Sequence, residues 1–343
     1  MWHSIKKAFA VVACVAAVAA ASQASAETLI NGAGSTFAYP IYSKWFAAYR
    51  KVDPSVSFNY QSIGSGGGIQ QIMARTIDFG ASDMYLSDAA LSKAPAKLIH
   101  IPTVMGAVVL TYNVPGVGTG LRLTPDVIAD IYLGRITRWN DPRIAASNRG
   151  VRLPAAAIIV AHRSEGSGTT SIFTSYLCSV SPQWKQQVGT GTSVRWPIGL
   201  GGKGSEGVAG IIRNTPYSIG YAEIAYAIGN HLPVAAVKNK AGYFITPNIK
   251  TTTAAAAGAA KHMPADFRLN IVNQPGKNAY PIAGFTWILL YQHINNHEKG
   301  QKIVQFLNWA YRHGEGMATQ LLYAPLPPNV TKMVLKTIRT ITY

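Results

Sequence analysis

Cysteine and acidic residues are scarce in this chain. Its 343 residues include two cysteines, Cys14 and Cys178. Because Cys14 falls in a segment that we expect to be removed on export, we predict that no intramolecular disulfide forms and that packing alone holds the fold. Asp and Glu number 14 against 31 Lys and Arg, which gives a formal net charge of +17 at pH 7 and favours anionic partners.

Long apolar runs are also missing, except for a short one near the N-terminus that is typical of a secretory signal. Two lysines precede an apolar stretch over residues 8–21, and Ala24-Ser25-Ala26 is the small-x-small pattern that a signal peptidase cleaves. We therefore predict a signal peptide over residues 1–26 and a periplasmic mature protein. No later run reaches the ~18 apolar residues that a membrane helix needs. A lipoprotein would use Cys14 as its acylated residue, but the residues before it match that signal poorly.

Clustered basic residues are absent as well. After the signal, the longest basic runs are pairs such as Arg50-Lys51, whereas a nucleic-acid surface needs clustered basic residues interleaved with aromatic ones. We therefore predict no nucleic-acid partner. Scattered lysines that keep an acid-poor protein soluble are the simpler explanation of the charge.

Beyond residue 26, short apolar runs alternate with amphipathic segments, which predicts an α/β fold. Residues 56–60 alternate like a half-buried strand, and residues 157–160 form a short apolar run. Each run leads into a Gly/Ser loop, and helical patterns follow at residues 69–73 and 172–177. The length of the chain after the signal suggests two domains.

Three loops of similar composition, at residues 32–37, 64–68 and 163–169, are rich in glycine, serine and threonine. Glycine lets the backbone approach a ligand closely, and a helix N-terminus presents unpaired N–H groups with a partial positive charge. Each loop alone is compatible with a simple helix cap. Three of them in one chain favour an anion-binding site.

Two charged residues bear on the nature of the anion. Arg163 is suited to bidentate contact with an oxyanion, although a surface salt bridge with Glu165 is the alternative. Asp83 would repel an anion unless the anion carries a proton to donate, as phosphate does near neutral pH and sulfate does not. In a binding site Asp83 would therefore select phosphate over sulfate, but its position in the sequence fits a loop cap equally well.

The chain resembles the periplasmic phosphate-binding proteins of Pst-type ABC importers over nearly all of its length beyond residue 26. The matching segments are residues 32–37, 60–65, 78–83, 130–134, 166–169, 173–177, 196–204 and 219–221. So many matches in the same order are more specific than any one Gly-rich loop.

The resemblance implies a type II periplasmic binding protein fold, with two α/β lobes, hinge strands and a ligand cleft between the lobes. Lobe I would comprise residues 27–104 and 283–343, and lobe II residues 105–282. The protein would capture inorganic phosphate and deliver it to the membrane permease subunits of an ABC importer. We expect a monomer that catalyses no reaction and uses no cofactor or metal.

The resemblance also implies a phosphate site built from both lobes. Asp83 would accept the proton of the ligand, Glu165 would hold Arg163, and Phe37 would act through its backbone N–H. The implied phosphate-binding residues are Thr36, Phe37, Ser65, Asp83, Arg163, Ser167, Gly168 and Thr169.

The sequence departs from the family pattern at three places. Glu165 stands where the family commonly has Asp, and the extra methylene is expected to loosen Arg163. Gly66 replaces a serine that often follows Ser65, and Met84-Tyr85 replaces small residues. These departures bear on affinity rather than on identity.

Other functions remain as alternatives. A secreted phosphatase-like enzyme would need a nucleophile or metal motif, but no G-x-S-x-G is present and Gly204 follows Lys203 where a P-loop needs Ser or Thr. His293, His297 and Glu298 have helical metal spacing without a convincing further ligand. Another tetrahedral oxyanion, arsenate or sulfate, is the alternative ligand, and an extracellular polyanion-binding protein would bind in a salt-sensitive way.

Overall fold

The computed structural model describes residues 27–343. The predicted signal peptide over residues 1–26, and Cys14 with it, lies outside the described residues. Within the described part, Cys178 is half-buried and unpaired. None of the helices within residues 27–343 has the length and apolar character to cross a membrane.

Strands and helices alternate through most of the described chain, as the sequence predicts. The strands are β1 (Thr28–Gly34), β2 (Val56–Ser62), β3 (Phe79–Ser82), β4 (Leu98–Asn113), β5 (Arg122–Leu123), β6 (Ile159–Arg163), β7 (Leu200–Gly202), β8 (Ser218–Glu223), β9 (Ala236–Lys238), β10 (Phe244–Ile245) and β11 (Ala283–Tyr291). The α-helices are Tyr39–Tyr49, Ser65–Met73, Asp88–Leu91, Pro125–Tyr132, Pro142–Ala146, Gly168–Val180, Pro182–Gln187, Gly204–Asn214, Ile224–Gly229, Ile249–Ala257, His297–His313, Glu315–Gln320 and Pro328–Ile338.

The predicted elements near the Gly/Ser loops are present. Residues 56–60 lie inside β2, and both helical patterns lie inside helices, Ser65–Met73 and Gly168–Val180. The apolar run at residues 157–160 matches a strand only in part. Strand β6 begins two residues later, at Ile159, and continues to Arg163. Its start is set by pairing with β8, at Ile159 opposite Ser218, which sequence periodicity cannot show.

The main sheet divides into two halves that meet at β4. Its strand order is β2-β1-β3-β11-β4-β8-β6-β7. The first part of β4, residues 98–107, pairs with β11, and residues 108–113 pair with β8. Strands β1, β2, β3 and β11 thus form a first half, and β6, β7 and β8 form a second half. A smaller sheet contains β10, β9 and β5.

A bulge interrupts the pairing of β4 with β11 near the junction of the two halves. Thr286 lies opposite Val104 and Trp287 opposite Pro102, so Thr103 is the extra residue. Proline has no N–H to donate to the ladder, which explains an irregularity beside Pro102. The predicted lobe boundaries, after residue 104 and before residue 283, lie close to this bulge.

Part of the predicted lobe II contacts the first half of the sheet. The Trp287 indole on β11 donates to the carbonyl of Phe267, and Asn329 on the C-terminal helix donates to the carbonyl of Ala260. The lobe boundaries stay a prediction, because Ala260 and Phe267 belong to the predicted lobe II but accept hydrogen bonds from residues of the predicted lobe I.

Aromatic side chains pack the first half of the sheet against its helices. The ring of Phe46 stacks on Phe58 of β2 with centroids 4.6 Å apart and lies 5.2 Å from Phe306 of helix His297–His313. A matching cluster in the second half places Phe173 4.5 Å from Tyr221 and 4.7 Å from Tyr132. Burial of such rings supplies much of the stability of each half and fixes the strand ends from which the loops leave.

We expect Phe46→Ala to lower the free energy of unfolding by about 3–5 kcal/mol, because it leaves a cavity among several rings. Chemical denaturation monitored by circular dichroism measures this loss. Val52→Ala is the control, since Val52 is 60% exposed and its truncation should change stability little. A Phe46→Ala variant as stable as the control would show that the ring cluster does not hold this half together.

Candidate functional site

The Gly/Ser loops of the first half converge because their strands are parallel neighbours. Strands β2, β1 and β3 run side by side in the same direction, so their carboxyl ends lie at one edge of the sheet. The loop after β1 contributes the Ser35 hydroxyl, which donates to Asp83 Oδ1 at 2.5 Å. The loop after β2 contributes Ser65, whose hydroxyl lies 3.4 Å from Asp83 Oδ2 and accepts from the Asp83 N–H at 3.1 Å. Asp83 is therefore a partner of both loops and not an isolated loop cap.

The third loop faces Asp83 from the second half of the sheet. It follows β6 and leads into helix Gly168–Val180, whose first turn is capped by the Ser167 hydroxyl through the N–H of Thr170. A side chain at Gly168 would place its Cβ 2.4 Å from Ser65 Oγ and 2.6 Å from Asp83 Oδ2, so only glycine permits this approach. The two halves therefore touch directly where the loops meet.

Arg163 is fixed by several partners within the second half. Its Nε donates to Glu165 Oε1 at 2.7 Å, and its Nη1 lies 3.3 Å from Thr169 Oγ1 and 3.2 Å from Ser205 Oγ. Its side chain is 1% exposed. Glu165 makes the ion pair despite its extra methylene and also accepts from the N–H of Gly204 at 3.1 Å. The guanidinium is thus buried, charged and held in one orientation.

Burial raises the pKa of Asp83 to about 6. The hydrogen bond from Ser35 and the positive charge of Arg163 oppose that rise. The carboxyl group is 4% exposed and therefore depends on its protein neighbours for its protonation state. At pH 7 it is mostly ionised and can only accept hydrogen bonds.

Several backbone N–H groups in the same place have no protein acceptor. Thr36 and Phe37 are 1% and 0% exposed, and their N–H groups make no hydrogen bond to any part of residues 27–343. The first residues of helices Ser65–Met73 and Gly168–Val180 also present N–H groups that no preceding turn can satisfy. Buried unpaired donors are rare in proteins, and N–H groups of this kind at helix N-termini are suited to an anion.

The eight implied phosphate-binding residues all lie in this region and are all buried, whereas Glu165 beside them is half-buried. Thr36 contacts Ser205, Ser205 contacts Arg163, and Arg163 contacts Thr169, while Ser65 and Gly168 contact Asp83. The Phe37 ring packs on Tyr323 in the core, and the Phe37 carbonyl accepts from the Tyr323 hydroxyl. Only the N–H of Phe37 is therefore free to face the site. Which of these residues contact a ligand stays a prediction.

Sequence reasoning missed three residues of this site: Ser35, Ser205 and Tyr226. Ser35 lies within the first loop, and Ser205 follows Gly204, which begins helix Gly204–Asn214 with a φ of +73°. The stretch at residues 201–205 is thus a fourth Gly/Ser loop at a helix N-terminus, and its composition was the available signal. Tyr226 carries no comparable signal, because its contact with Thr36 spans 190 residues of sequence.

The histidines with helical metal spacing are engaged elsewhere. His293 Nδ1 lies 2.9 Å from Thr342 Oγ1, and the His297 ring packs against Tyr343. Glu298 accepts a hydrogen bond from the hydroxyl of Thr28. No group of three His, Cys, Asp or Glu side chains within residues 27–343 is placed to hold a metal ion.

Known proteins with similar sequences share one function class. Residues 19–313 match the family described as the PBP superfamily domain. The chain is 46% identical over 306 residues to the phosphate-binding protein PstS of Pasteurella multocida, covering 89% of this chain and 88% of that protein. It is 37% identical over 338 residues to PstS of Methanocaldococcus jannaschii, covering 91% of this chain and 86% of that protein.

Solved structures extend the similarity to the fold. A high-affinity periplasmic phosphate-binding protein, solved with phosphate bound, superposes with a TM-score of 0.69 at 23% identity, covering 90% of this chain and 93% of that one. The two-lobed α/β fold predicted from the sequence is thereby confirmed. From here on, lobe I denotes the first half of the sheet with its helices, and lobe II the second half with its helices.

We expect Glu165→Gln to lower the free energy of unfolding by about 3 kcal/mol, because it leaves the buried Arg163 charge without its partner. Thermal and chemical denaturation at pH 7 measure the loss. Glu315→Gln removes the same charge at an exposed helix start and should change stability by less than about 0.5 kcal/mol. Equal stability of the two variants would mean that the Arg163–Glu165 pair contributes nothing to the fold.

Proposed function

Because the chain belongs to the PstS family of phosphate-binding proteins, we propose that the buried donors between its lobes hold inorganic phosphate. The family binds phosphate for an ABC importer and is not enzymatic, and its PstS members are periplasmic substrate-binding proteins. The protein is therefore a phosphate-binding component of an import system and not an enzyme.

The observation that carries the proposed site is the set of buried N–H groups without acceptors. Phosphate oxygens would accept from the N–H groups of Thr36 and Phe37 and from unpaired N–H groups at the buried N-termini of the two helices that start at Ser65 and Gly168. Arg163 would add a charged donor at a fixed orientation. Most of the coordination would then come from neutral dipoles, which suits a ligand that is stripped of water rather than one held by a salt-sensitive patch.

The remaining assigned residues complete the shell. The hydroxyls of Thr36, Ser65, Ser167 and Thr169 would donate to phosphate, and Gly168 would bring its N–H close because it has no side chain. Glu165 would act through Arg163 by holding the guanidinium. This arrangement draws on both lobes, so phosphate would stabilise the closed form by contacting both at once.

Asp83 would give the site its selectivity. An ionised Asp83 accepts a hydrogen bond from a protonated oxygen of phosphate, whereas sulfate has no proton to offer and would face an unpaired negative charge. Arsenate has the same shape and also carries a proton, so Asp83 would not exclude it.

The rest of the proposed role follows the family. After cleavage of the signal peptide over residues 1–26, the protein would act in the periplasm as a monomer. It would deliver phosphate to the membrane permease subunits of the importer. Lobe I would comprise residues 27–104 and 283–343, and lobe II residues 105–282, with the hinge in β4 and β11.

We expect Asp83→Asn to reduce the preference for phosphate over sulfate by about 100-fold or more, because the amide can donate to an unprotonated oxygen. Calorimetric titration of the phosphate-stripped protein with each anion, at low and high salt, measures both affinities. Asp126→Asn, at an exposed position, should behave like the unchanged protein. If the unchanged protein bound sulfate as tightly as phosphate, Asp83 would have no role in selectivity.

The pKa of Asp83, which burial raises to about 6, also predicts how sulfate binding depends on pH. Sulfate needs the protonated carboxyl, whose population falls about tenfold for each pH unit above 6. Sulfate affinity should therefore rise about tenfold per unit as the pH falls from 8 to 6 and level off below 6. Titrations across this range test the slope, and Asp83→Asn should remove it. A slope that survives in Asp83→Asn would assign the proton to another group.

A further inference from the structure

Thr36 in lobe I is held from lobe II at two different atoms. Its hydroxyl lies 3.1 Å from the hydroxyl of Ser205 and accepts from the Ser205 N–H at 3.4 Å. Its carbonyl accepts from the Tyr226 hydroxyl at 2.6 Å. Because Thr36 follows β1 whereas Ser205 and Tyr226 flank β8, these contacts form only when the lobes are closed.

The turn that carries Ser205 is itself fixed to the arginine of the site. The N–H of Gly204 donates to Glu165, and the Ser205 hydroxyl lies 3.2 Å from Arg163 Nη1. Ser205 is wholly buried, so the close packing around it restricts its side chain to one rotamer. A shift of this turn would therefore move Arg163 and Thr36 together.

Tyr226 reaches Thr36 from a separate helix. It lies in helix Ile224–Gly229, and its hydroxyl is also 3.3 Å from Glu206 Oε1 on helix Gly204–Asn214. The tyrosine thus connects the Thr36 carbonyl to the same helix that bears Ser205. The two contacts on Thr36 share one support and are expected to form and break together.

We propose that Ser205 and Tyr226 form an interlobe latch that positions Thr36 in the closed cleft and slows the release of phosphate. The inference rests on the proposed function, because Thr36 is one of the residues assigned to phosphate. Neither latch residue carries a charge or distinguishes a protonated oxygen, so the latch acts on the lifetime of the closed form and not on the choice of anion.

Ser205→Ala and Tyr226→Phe each remove one hydroxyl and test the latch. A hydrogen bond between neutral groups changes an equilibrium by about 2- to 13-fold, so each variant should release phosphate about 3- to 10-fold faster. The association rate, the phosphate-to-sulfate ratio and the melting temperature without phosphate should stay at the values of the unchanged protein. Stopped-flow mixing gives the two rates, and calorimetry gives the ratio.

Ser43→Ala and Tyr243→Phe are the matched controls, since neither hydroxyl has a hydrogen-bond partner within residues 27–343 and Tyr243 is 47% exposed. Dissociation rates equal to those of the controls would overturn the latch while leaving phosphate binding intact. If Ser205→Ala and Tyr226→Phe lowered the melting temperature of the ligand-free protein but left the release rate unchanged, the two residues would have a structural role and the latch would be overturned. If the unchanged protein bound no phosphate, the proposed function itself would fail, and the latch with it.

Discussion

The N–H groups of Thr36 and Phe37 are buried and donate to no acceptor within residues 27–343, and each such donor costs about 1–3 kcal/mol while it stays unpaired. The architecture keeps them in place. Parallel β1, β2 and β3 end at one edge, which gathers the loops of lobe I, and helix Gly168–Val180 points its own N-terminus at the same spot from lobe II. The aromatic cores behind the strands hold these loops at a fixed position. A tetrahedral anion would satisfy both sets of donors, which links binding to closure.

The charges around the site explain why the net charge of the whole chain says little about it. Arg163 is positive, whereas Glu165 and Asp83 are negative, so the charged side chains themselves do not attract an anion strongly. The favourable field comes from oriented backbone dipoles at helix starts. Asp83 would have a different effect, because a buried carboxylate would admit an anion only if that anion brings a proton. The scattered lysines on the surface set the net charge of the chain but would not set the selectivity of the cleft.

Contacts between the lobes connect the site to movement of the hinge. Strand β4 pairs with β11 in lobe I and with β8 in lobe II, so one strand carries both lobes. Gly66 donates to the Gly166 carbonyl at 2.8 Å across the cleft, close to the approach of Gly168 to Ser65. A Cβ at residue 66 would lie 3.0 Å from the Cα of Gly166, so glycine at this position permits the close approach of the two backbones. Ser205 and Tyr226 add contacts on Thr36, so opening would break these contacts as well as the one between Gly66 and Gly166.

The sequence by itself determined the α/β class, the helix starts at the Gly/Ser loops and the residues of the site that carry local signals. Thr36, Ser65 and Gly168 sit at junctions between strands or loops and helices, and such junctions leave a mark in composition because backbone geometry demands glycine and capping residues there. Asp83 was noticeable but ambiguous, since one residue cannot show whether other loops surround it. The contacts of Ser205 and Tyr226 with Thr36, the pairing that starts β6 at Ile159 and the burial that raises the pKa of Asp83 were decided by the tertiary structure alone. Each depends on groups far apart in the chain, and no local pattern encodes which of them will meet.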